Sequence, residues 1–131
     1  GSGDREHIEG FEAVAEPILD QFNPGLLIIS AGQDGHVADQ LANQNLTAAG
    51  YHALAQAMTR FTTERGIGLV ALHEGGYNPD TLPLLNHAIL AGFGGFTPDL
   101  SDDVPALEVG EIGWPERLGQ IRRTQSAYWH I

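Results

Sequence analysis

The sequence predicts an α/β protein with parallel strands, and three observations lead to this fold class. Two short apolar runs, residues 26–30 and 67–73, lack the alternation of polar and apolar residues, which is typical of strands covered on both faces of a parallel sheet. A helical pattern separates the runs, as in a right-handed βαβ unit. A polar loop rich in glycine follows each run. A chain of 131 residues has room for one domain, which we expect to span residues 1–131.

The first predicted element is a helix over residues 4–22. Asp4 is placed to cap it. Pro17 is expected to kink or split it near Glu16, because proline lacks a backbone N–H. Residues 23–25, Asn-Pro-Gly, then end the helix in a turn. The apolar residues recur at the three- and four-residue steps of one helix face: Ile8, Phe11, Val14, Ile18, Leu19 and Phe22.

The remaining elements are predicted from caps and stops. Thr47 is expected to cap a second helix, which ends near Gly66, since glycine is the residue that most often terminates a helix. A third helix is predicted over 81–90 and a long irregular stretch over 91–113. Pro115 suits the first turn of a short last helix. The predicted order is helix, strand, helix, strand, helix, helix.

A sheet of only two strands leaves its edges and apolar faces uncovered. The chain is therefore either a piece of a larger α/β domain or a partner of another chain. At about 25 cal/mol per Å², several hundred Å² of exposed apolar surface costs several kcal/mol, which is comparable to the stability of a small domain. We expect a homo-oligomer, in the form of a symmetric dimer that covers the strands over 26–30 and 67–73.

Composition excludes several classes of function. The chain has no cysteine, which removes disulfide scaffolds, Cys-ligated zinc and thiol catalysis. Its net charge of −11 repels phosphate backbones, so we expect no nucleic-acid partner. That charge favours a cationic small molecule or a basic peptide as the binding partner. The alternative is that the charge serves solubility alone. No apolar run reaches the roughly 18 residues that span a bilayer, and no secretory leader opens the chain. We expect a cytoplasmic protein without a membrane partner.

Two loops are candidates for a site, because sites in parallel α/β sheets form beyond the carboxyl ends of the strands. They cover residues 30–36 and 73–77, and a right-handed crossover places both on the same rim. Asp34 and His36 are two residues apart and both side chains could reach one metal ion in extended backbone; the alternative is a turn-forming aspartate and a solvated histidine. Tyr77 could present its phenol to a developing oxyanion, or it could pack at the base of its loop.

Four motifs in order give the sequence a resemblance to a known family. They are Ser-Ala-Gly-Gln-Asp-Gly-His at 30–36, Asp39, Leu-Thr-Ala-Ala-Gly-Tyr at 46–51 and Glu-Gly-Gly-Tyr-Asn at 74–78. This series resembles the histone deacetylase and acetylpolyamine amidohydrolase superfamily, whose usual motifs read S-A-G-F-D-A-H, D-P-L, L-T-x-x-G-Y and L-E-G-G-Y-N. The glutamate before the two glycines is similar to the bacterial and class II branch. The resemblance covers essentially the whole chain and corresponds to the C-terminal third of the family's catalytic domain.

The resemblance implies a fold, a reaction and a set of residues. The fold is a three-layer α/β/α domain of the arginase and deacetylase type, with about two strands of its sheet present here. The family removes acetyl groups from acetyl-lysine or acetylpolyamines with one catalytic zinc ion, which polarises the amide carbonyl and a water molecule. Asp34 matches a zinc ligand and Tyr77 the oxyanion tyrosine. Leu41, Gly75 and Gly76 match residues along the substrate channel, whereas His36 has no ligand role in the pattern.

Departures from the pattern limit what the chain is expected to do alone. The family's Asp-x-His pair, which supplies the other two zinc ligands, and its pair of adjacent histidines lie upstream of the matched region. Gln33 stands where phenylalanine usually lines the channel, and Gln40 where proline is usual. Catalytic zinc needs about three protein ligands, so we expect zinc only with ligands from an N-terminal segment, and an inactive chain without it. The alternative is a stand-alone, non-catalytic module that acts by self-association or partner binding.

Overall fold

The computed structural model describes residues 1–101, 103–106 and 110–131. Two parallel strands and five α-helices make up the regular structure of this part of the chain. A π-helical turn, Phe11–Ala15, joins the first two helices, and a 3₁₀ turn, Gln33–Gly35, follows the first strand. In chain order the elements are α1 (Asp4–Gly10), α2 (Glu16–Phe22), β1 (Leu26–Ala31), α3 (Ala48–Arg65), β2 (Gly68–His73), α4 (Leu82–Gly94) and α5 (Trp114–Gln125).

The first helical segment is continuous over the predicted residues 4–22, and a π-helical turn precedes Pro17. The proline falls in the first turn of α2, where a missing N–H is tolerated. The predicted capping role of Asp4 is wrong, because Gly3 is the N-cap of α1. The carboxylate of Asp4 instead accepts hydrogen bonds from the backbone N–H of Thr47 at 2.8 Å and from its hydroxyl at 2.7 Å. Asp4 therefore joins α1 to the start of α3.

The βαβ unit forms as predicted. β1 and β2 pair in parallel, in a register that runs from Leu26 opposite Gly68 to Ala31 opposite His73. Between them, α3 is capped by the Thr47 side chain, which accepts from the N–H of Gly50. Gly66 ends the helix with a φ of 64°, a left-handed conformation that glycine adopts without strain. The local cap and stop signals thus set both ends of this helix.

The prediction that both faces of the strands are buried is wrong for this chain. One face of the sheet presents four exposed aliphatic side chains, because α3 and α4 lie on the opposite side, where Ile29 lines a shared cavity with Leu54 and Ile89. This surface is called the bare sheet face below. Its residues are Leu26, Ile28, Val70 and Leu72.

The buried core lies between α3 and α4 rather than against the sheet. The two helices approach closely at Gly92, where an added Cβ would meet the Cβ of Ala55 at 2.6 Å and the carbonyl oxygen of His52 at 2.7 Å. Only glycine at this position therefore allows the two helices to lie so close together. The core cluster consists of Leu46, Ala48, Tyr51, Ala55, Leu85, Ala88 and Ile89.

The C-terminal region agrees with the prediction in outline. α4 extends beyond the predicted range of 81–90 to Gly94, and Pro115 lies in the first turn of α5 as expected. The buried Trp114 anchors α5 to α1, since its indole N–H donates to a carboxylate oxygen of Glu9 at 2.6 Å. Within the predicted irregular stretch 91–113, residues 102 and 107–109 lie outside the described residues.

Candidate active site

The site lies where β1 and β2 end, at the rim that the sequence predicts. The backbone N–H of Gln33, in the loop after β1, donates to the carbonyl oxygen of Gly75 at 2.9 Å. The N–H of Glu74, directly after β2, donates back to the carbonyl of Ala31 at 3.1 Å. These two bonds extend the parallel pairing past the ends of the strands. They bring the two candidate loops into direct contact.

Asp34 lies on the 3₁₀ turn, with its carboxylate packed against two glycines. A Cβ added to Gly75 would collide with the Oδ1 atom of Asp34, and a Cβ added to Gly32 would lie 2.6 Å from the same atom. The close approach of the two loops therefore depends on the absence of side chains at these glycines. The geometry places the carboxylate of Asp34 against the backbone of the loop that carries Tyr77.

Tyr77 is held through its backbone, and its side chain is 56% exposed. Its N–H donates to the Oδ2 atom of Asp39 at 2.7 Å, and the N–H of Leu41 donates to Oδ1 of the same carboxylate at 2.9 Å. Hydrogen bonds from backbone N–H groups, chiefly that of Leu41, hold the pKa of Asp39 below its ordinary value. Asp39 thus links the loop before α3 to the loop after β2.

The two remaining predicted channel residues flank this arrangement. Leu41 lies two residues after Asp39, and the side chain of Leu41 is 72% exposed. Gly76 has a φ of 126°, which L-residues rarely adopt, and an added Cβ would lie 2.9 Å from Leu82 and 3.0 Å from Gln33. Both conditions require glycine at this position.

Sequence reasoning missed the contribution of Tyr51 to the site. This residue lies on the buried face of α3, and its hydroxyl donates to the carbonyl oxygen of Gly32 at 3.1 Å. Burial raises the pKa of the hydroxyl above its ordinary value, and the negative charge of Asp34 raises it further. A protonated Tyr51 therefore supports the backbone directly before Asp34. Its position at the end of Leu-Thr-Ala-Ala-Gly-Tyr was the available signal.

Two side chains of the loop after β1 enter the interior. Gln33, which stands where the family usually has phenylalanine, is 2% exposed, and its amide lies 2.7 Å from the side-chain oxygen of Asn86 and 2.8 Å from the carbonyl oxygen of Gly75. His36 is neither solvated nor directed to the same point as Asp34. The chain turns in a 3₁₀ helix between them, so the His36 ring enters the interior, where it is 1% exposed.

Comparison with known proteins supplies the family. The model of the histone deacetylase domain matches residues 1–93. The chain belongs to the histone deacetylase family. This confirms the resemblance that the motifs indicate. The similarity of the chain to solved histone deacetylase structures confirms the predicted fold class. This is an α/β domain of the histone deacetylase type with only part of its sheet present.

Several members of the family match most of this chain. A protein named as a probable deacetylase from Archaeoglobus fulgidus is 32% identical over 98% of the chain. The histone deacetylase-like amidohydrolase of Pseudomonas aeruginosa is 30% identical over 78% of it. The crystal structure of the HDA15 HD domain superposes with a TM-score of 0.78 and 27% identity over 98% of the chain. The chain covers 39%, 27% and 33% of these three proteins respectively.

The family implies a zinc ion, and the donor set of this chain does not complete a site for one. Across the residues that the structure describes, no group of three or more His, Asp or Glu side chains is placed to hold a metal ion. Asp34 offers one carboxylate, whereas catalytic zinc takes about three protein ligands. Among these same residues, no helix is both long and apolar enough to cross a bilayer.

Proposed function

We propose that this chain carries part of the active site of a zinc-dependent amidohydrolase that removes acetyl groups from acetyl-lysine or acetylpolyamines. Asp34 supplies one zinc ligand, and the other ligands come from an N-terminal segment. Tyr77 donates a hydrogen bond to the oxyanion of the tetrahedral intermediate. Leu41, Gly75 and Gly76 border the path of the acylated amine. Without the N-terminal segment the chain is inactive.

The observation that supports this proposal is the junction of the two loops at the rim of the sheet. The Gln33 N–H to Gly75 carbonyl bond and the contact of Asp34 with Gly75 hold a carboxylate beside the loop of an exposed tyrosine. A phenol acts on an oxyanion only if it is fixed relative to the groups that hold the reacting carbonyl. The net charge of −11 also favours a substrate that carries further amines.

Reconstitution tests the proposal. The chain is assayed alone and in a hybrid protein, in which it is joined to the part of the Archaeoglobus fulgidus relative that it does not match. We expect zinc-dependent hydrolysis of an acetyl-lysine peptide or an acetylpolyamine by the hybrid and none by the chain alone. Hydrolysis by the chain alone would show that the inactivity claim is wrong. A folded, zinc-loaded hybrid that hydrolyses neither substrate would contradict the proposed function.

The second candidate is a stand-alone module that acts by self-association, and the bare sheet face favours it. Four aliphatic side chains without cover make association of two copies through this face favourable. Such a homodimer would cover the face of the sheet that α3 and α4 leave exposed.

We expect the isolated chain to sediment as a dimer at micromolar concentration. Ile28→Lys places a charge in the middle of the bare sheet face and is expected to give monomers, because burial of an unpaired charge opposes association. The control is Leu41→Lys, an exposed leucine outside this face, which should leave the dimer intact. A monodisperse wild-type monomer with a cooperative melting transition would contradict self-association.

A further inference from the structure

A buried histidine, His36, is fixed by two hydrogen bonds beside the turn that carries Asp34. Its Nδ1 lies 3.2 Å from the backbone N–H of Ala38, and its Nε2 lies 3.1 Å from Oδ1 of Asp103. An amide N–H can only donate, so Nδ1 is the acceptor in the neutral ring. The proton then resides on Nε2, which donates to Asp103. The two bonds together fix both the tautomer and the plane of the ring.

Asp103 connects this ring to the start of α3. Its side chain is 7% exposed, and its second oxygen, Oδ2, accepts from the backbone N–H of Ala48 at 2.7 Å. The first turn of a helix has N–H groups without partners in the helix and a positive end of the dipole, so it attracts a carboxylate. Asp103 therefore ties His36 to a rigid element. It lies in the irregular stretch after α4 and belongs to none of the motifs above.

The backbone of His36 transmits this constraint to the turn. Its N–H donates to the carbonyl of Gln33 at 3.2 Å and closes the turn around Asp34. The carbonyl of Gly35 accepts from the N–H of Leu46 at 3.1 Å, which ties the same turn to the chain before α3. On the other side, Gln33 is bound to Gly75. The turn is thus held from both ends, with the His36 and Asp103 pair at one of them.

We propose that His36 and Asp103 are positioning residues that fix the carboxylate of Asp34 at the rim of the site. The inference rests on the proposed function, because the place of Asp34 matters for chemistry only if it binds the metal ion. A ligand must be held to within about 0.5 Å of its productive position. Neither residue touches substrate, and both act through the turn.

The test is NMR spectroscopy of the 131-residue chain, with variants that change each member of the pair in turn. In Asp103→Asn a single side-chain oxygen cannot accept from both His36 and Ala48. In His36→Asn the side chain is too short to reach Asp103, whereas His36→Gln places an amide N–H near the position of Nε2. Asp99→Asn is the matched control, since it changes an exposed aspartate in the same stretch.

The wild-type chain is expected to show the Nε2–H tautomer of His36. In Asp103→Asn and His36→Asn, the carboxyl ¹³C resonance of Asp34 should shift. The amide hydrogens of Leu46 and Gln33 should exchange roughly tenfold faster or more, the loss expected for a charge-assisted hydrogen bond. His36→Gln and Asp99→Asn should retain the wild-type resonance and exchange rates.

A pair that contributes only to stability would lower the melting temperature and leave the Asp34 resonance unchanged, which would overturn the proposal. An Nδ1–H tautomer in the wild-type chain would overturn it as well, and that measurement needs no variant to fold. None of these readouts uses zinc or hydrolysis. Failure of the reconstitution assay therefore speaks against the proposed function, and failure here speaks against the positioning roles.

Discussion

Replacement of Gly75 with alanine is expected to reduce the kcat/KM of the hybrid protein by about 100-fold, the loss that follows when a reacting group is displaced by roughly 1 Å. The added Cβ would collide with the carboxylate of Asp34. Either the carboxylate must move or the loop of Tyr77 must separate from Gln33. Both adjustments change the position of Asp34 relative to Tyr77. Steady-state hydrolysis of an acetyl-lysine peptide measures the effect.

Gly119→Ala is the matched control for this substitution. Gly119 lies within α5, and an added Cβ would approach only the end of the flexible Arg123 side chain, at 3.3 Å. Alanine is favoured over glycine inside a helix, so activity and stability should be kept. If Gly75→Ala retained most of the wild-type kcat/KM, the close contact between the two loops would not matter for the reaction.

The second large effect is expected at the centre of the core. Leu85→Ala should lower the free energy of unfolding of the chain by about 2–5 kcal/mol, through lost burial and the cavity left behind. Leu85 is 1% exposed and belongs to the cluster between α3 and α4. The total stability of a small domain is only about 5–15 kcal/mol. This one substitution should therefore leave much of the chain unfolded at moderate urea concentrations.

Leu90→Ala on the same helix separates burial from helix propensity. The Leu90 side chain is 66% exposed, so its removal costs little of the free energy of unfolding. Urea denaturation followed by circular dichroism compares both variants with the wild-type chain. Equal losses at the two positions would show that the core does not lie between α3 and α4.

Local signals made most of the fold predictable from the sequence. The Thr47 cap, the Gly66 stop and the positions of the two strands each depend on residues close together in the chain, and the structure confirms them. The placement of both loops on one rim followed from the handedness of the βαβ unit. The family resemblance rested on short motifs in a fixed order, and it is also confirmed.

What the sequence did not predict depends on contacts between distant residues. Asp4 looked like a cap, but it binds Thr47, which is 43 residues away. Gln33 and His36 stand in a loop motif, yet both are buried because the turn directs them inward. The partner of His36 is Asp103, 67 residues further along the chain. The prediction that both faces of the strands are buried was wrong because the described residues cover only one face of the sheet. The aliphatic side chains of the bare sheet face stay exposed.

The roles of Asp34, Tyr77 and Leu41 stay predictions. Asp34 is the one whose role can be tested without any assay of turnover. In the hybrid protein its carboxylate is expected to be one of about three protein ligands of the zinc ion. Removal of the charge, with almost no change in volume, should therefore release the metal.

The measurement that tests the central claim most directly is the zinc content of the purified hybrid protein and of its Asp34→Asn variant, determined by mass spectrometry after dialysis against a weak chelator. Asp39→Asn, which changes a neighbouring aspartate that binds only backbone N–H groups among the described contacts, serves as the control. We expect one zinc ion per hybrid in the wild-type and control proteins, and almost none in Asp34→Asn. A full complement of zinc in Asp34→Asn would contradict the assignment of Asp34 as a ligand.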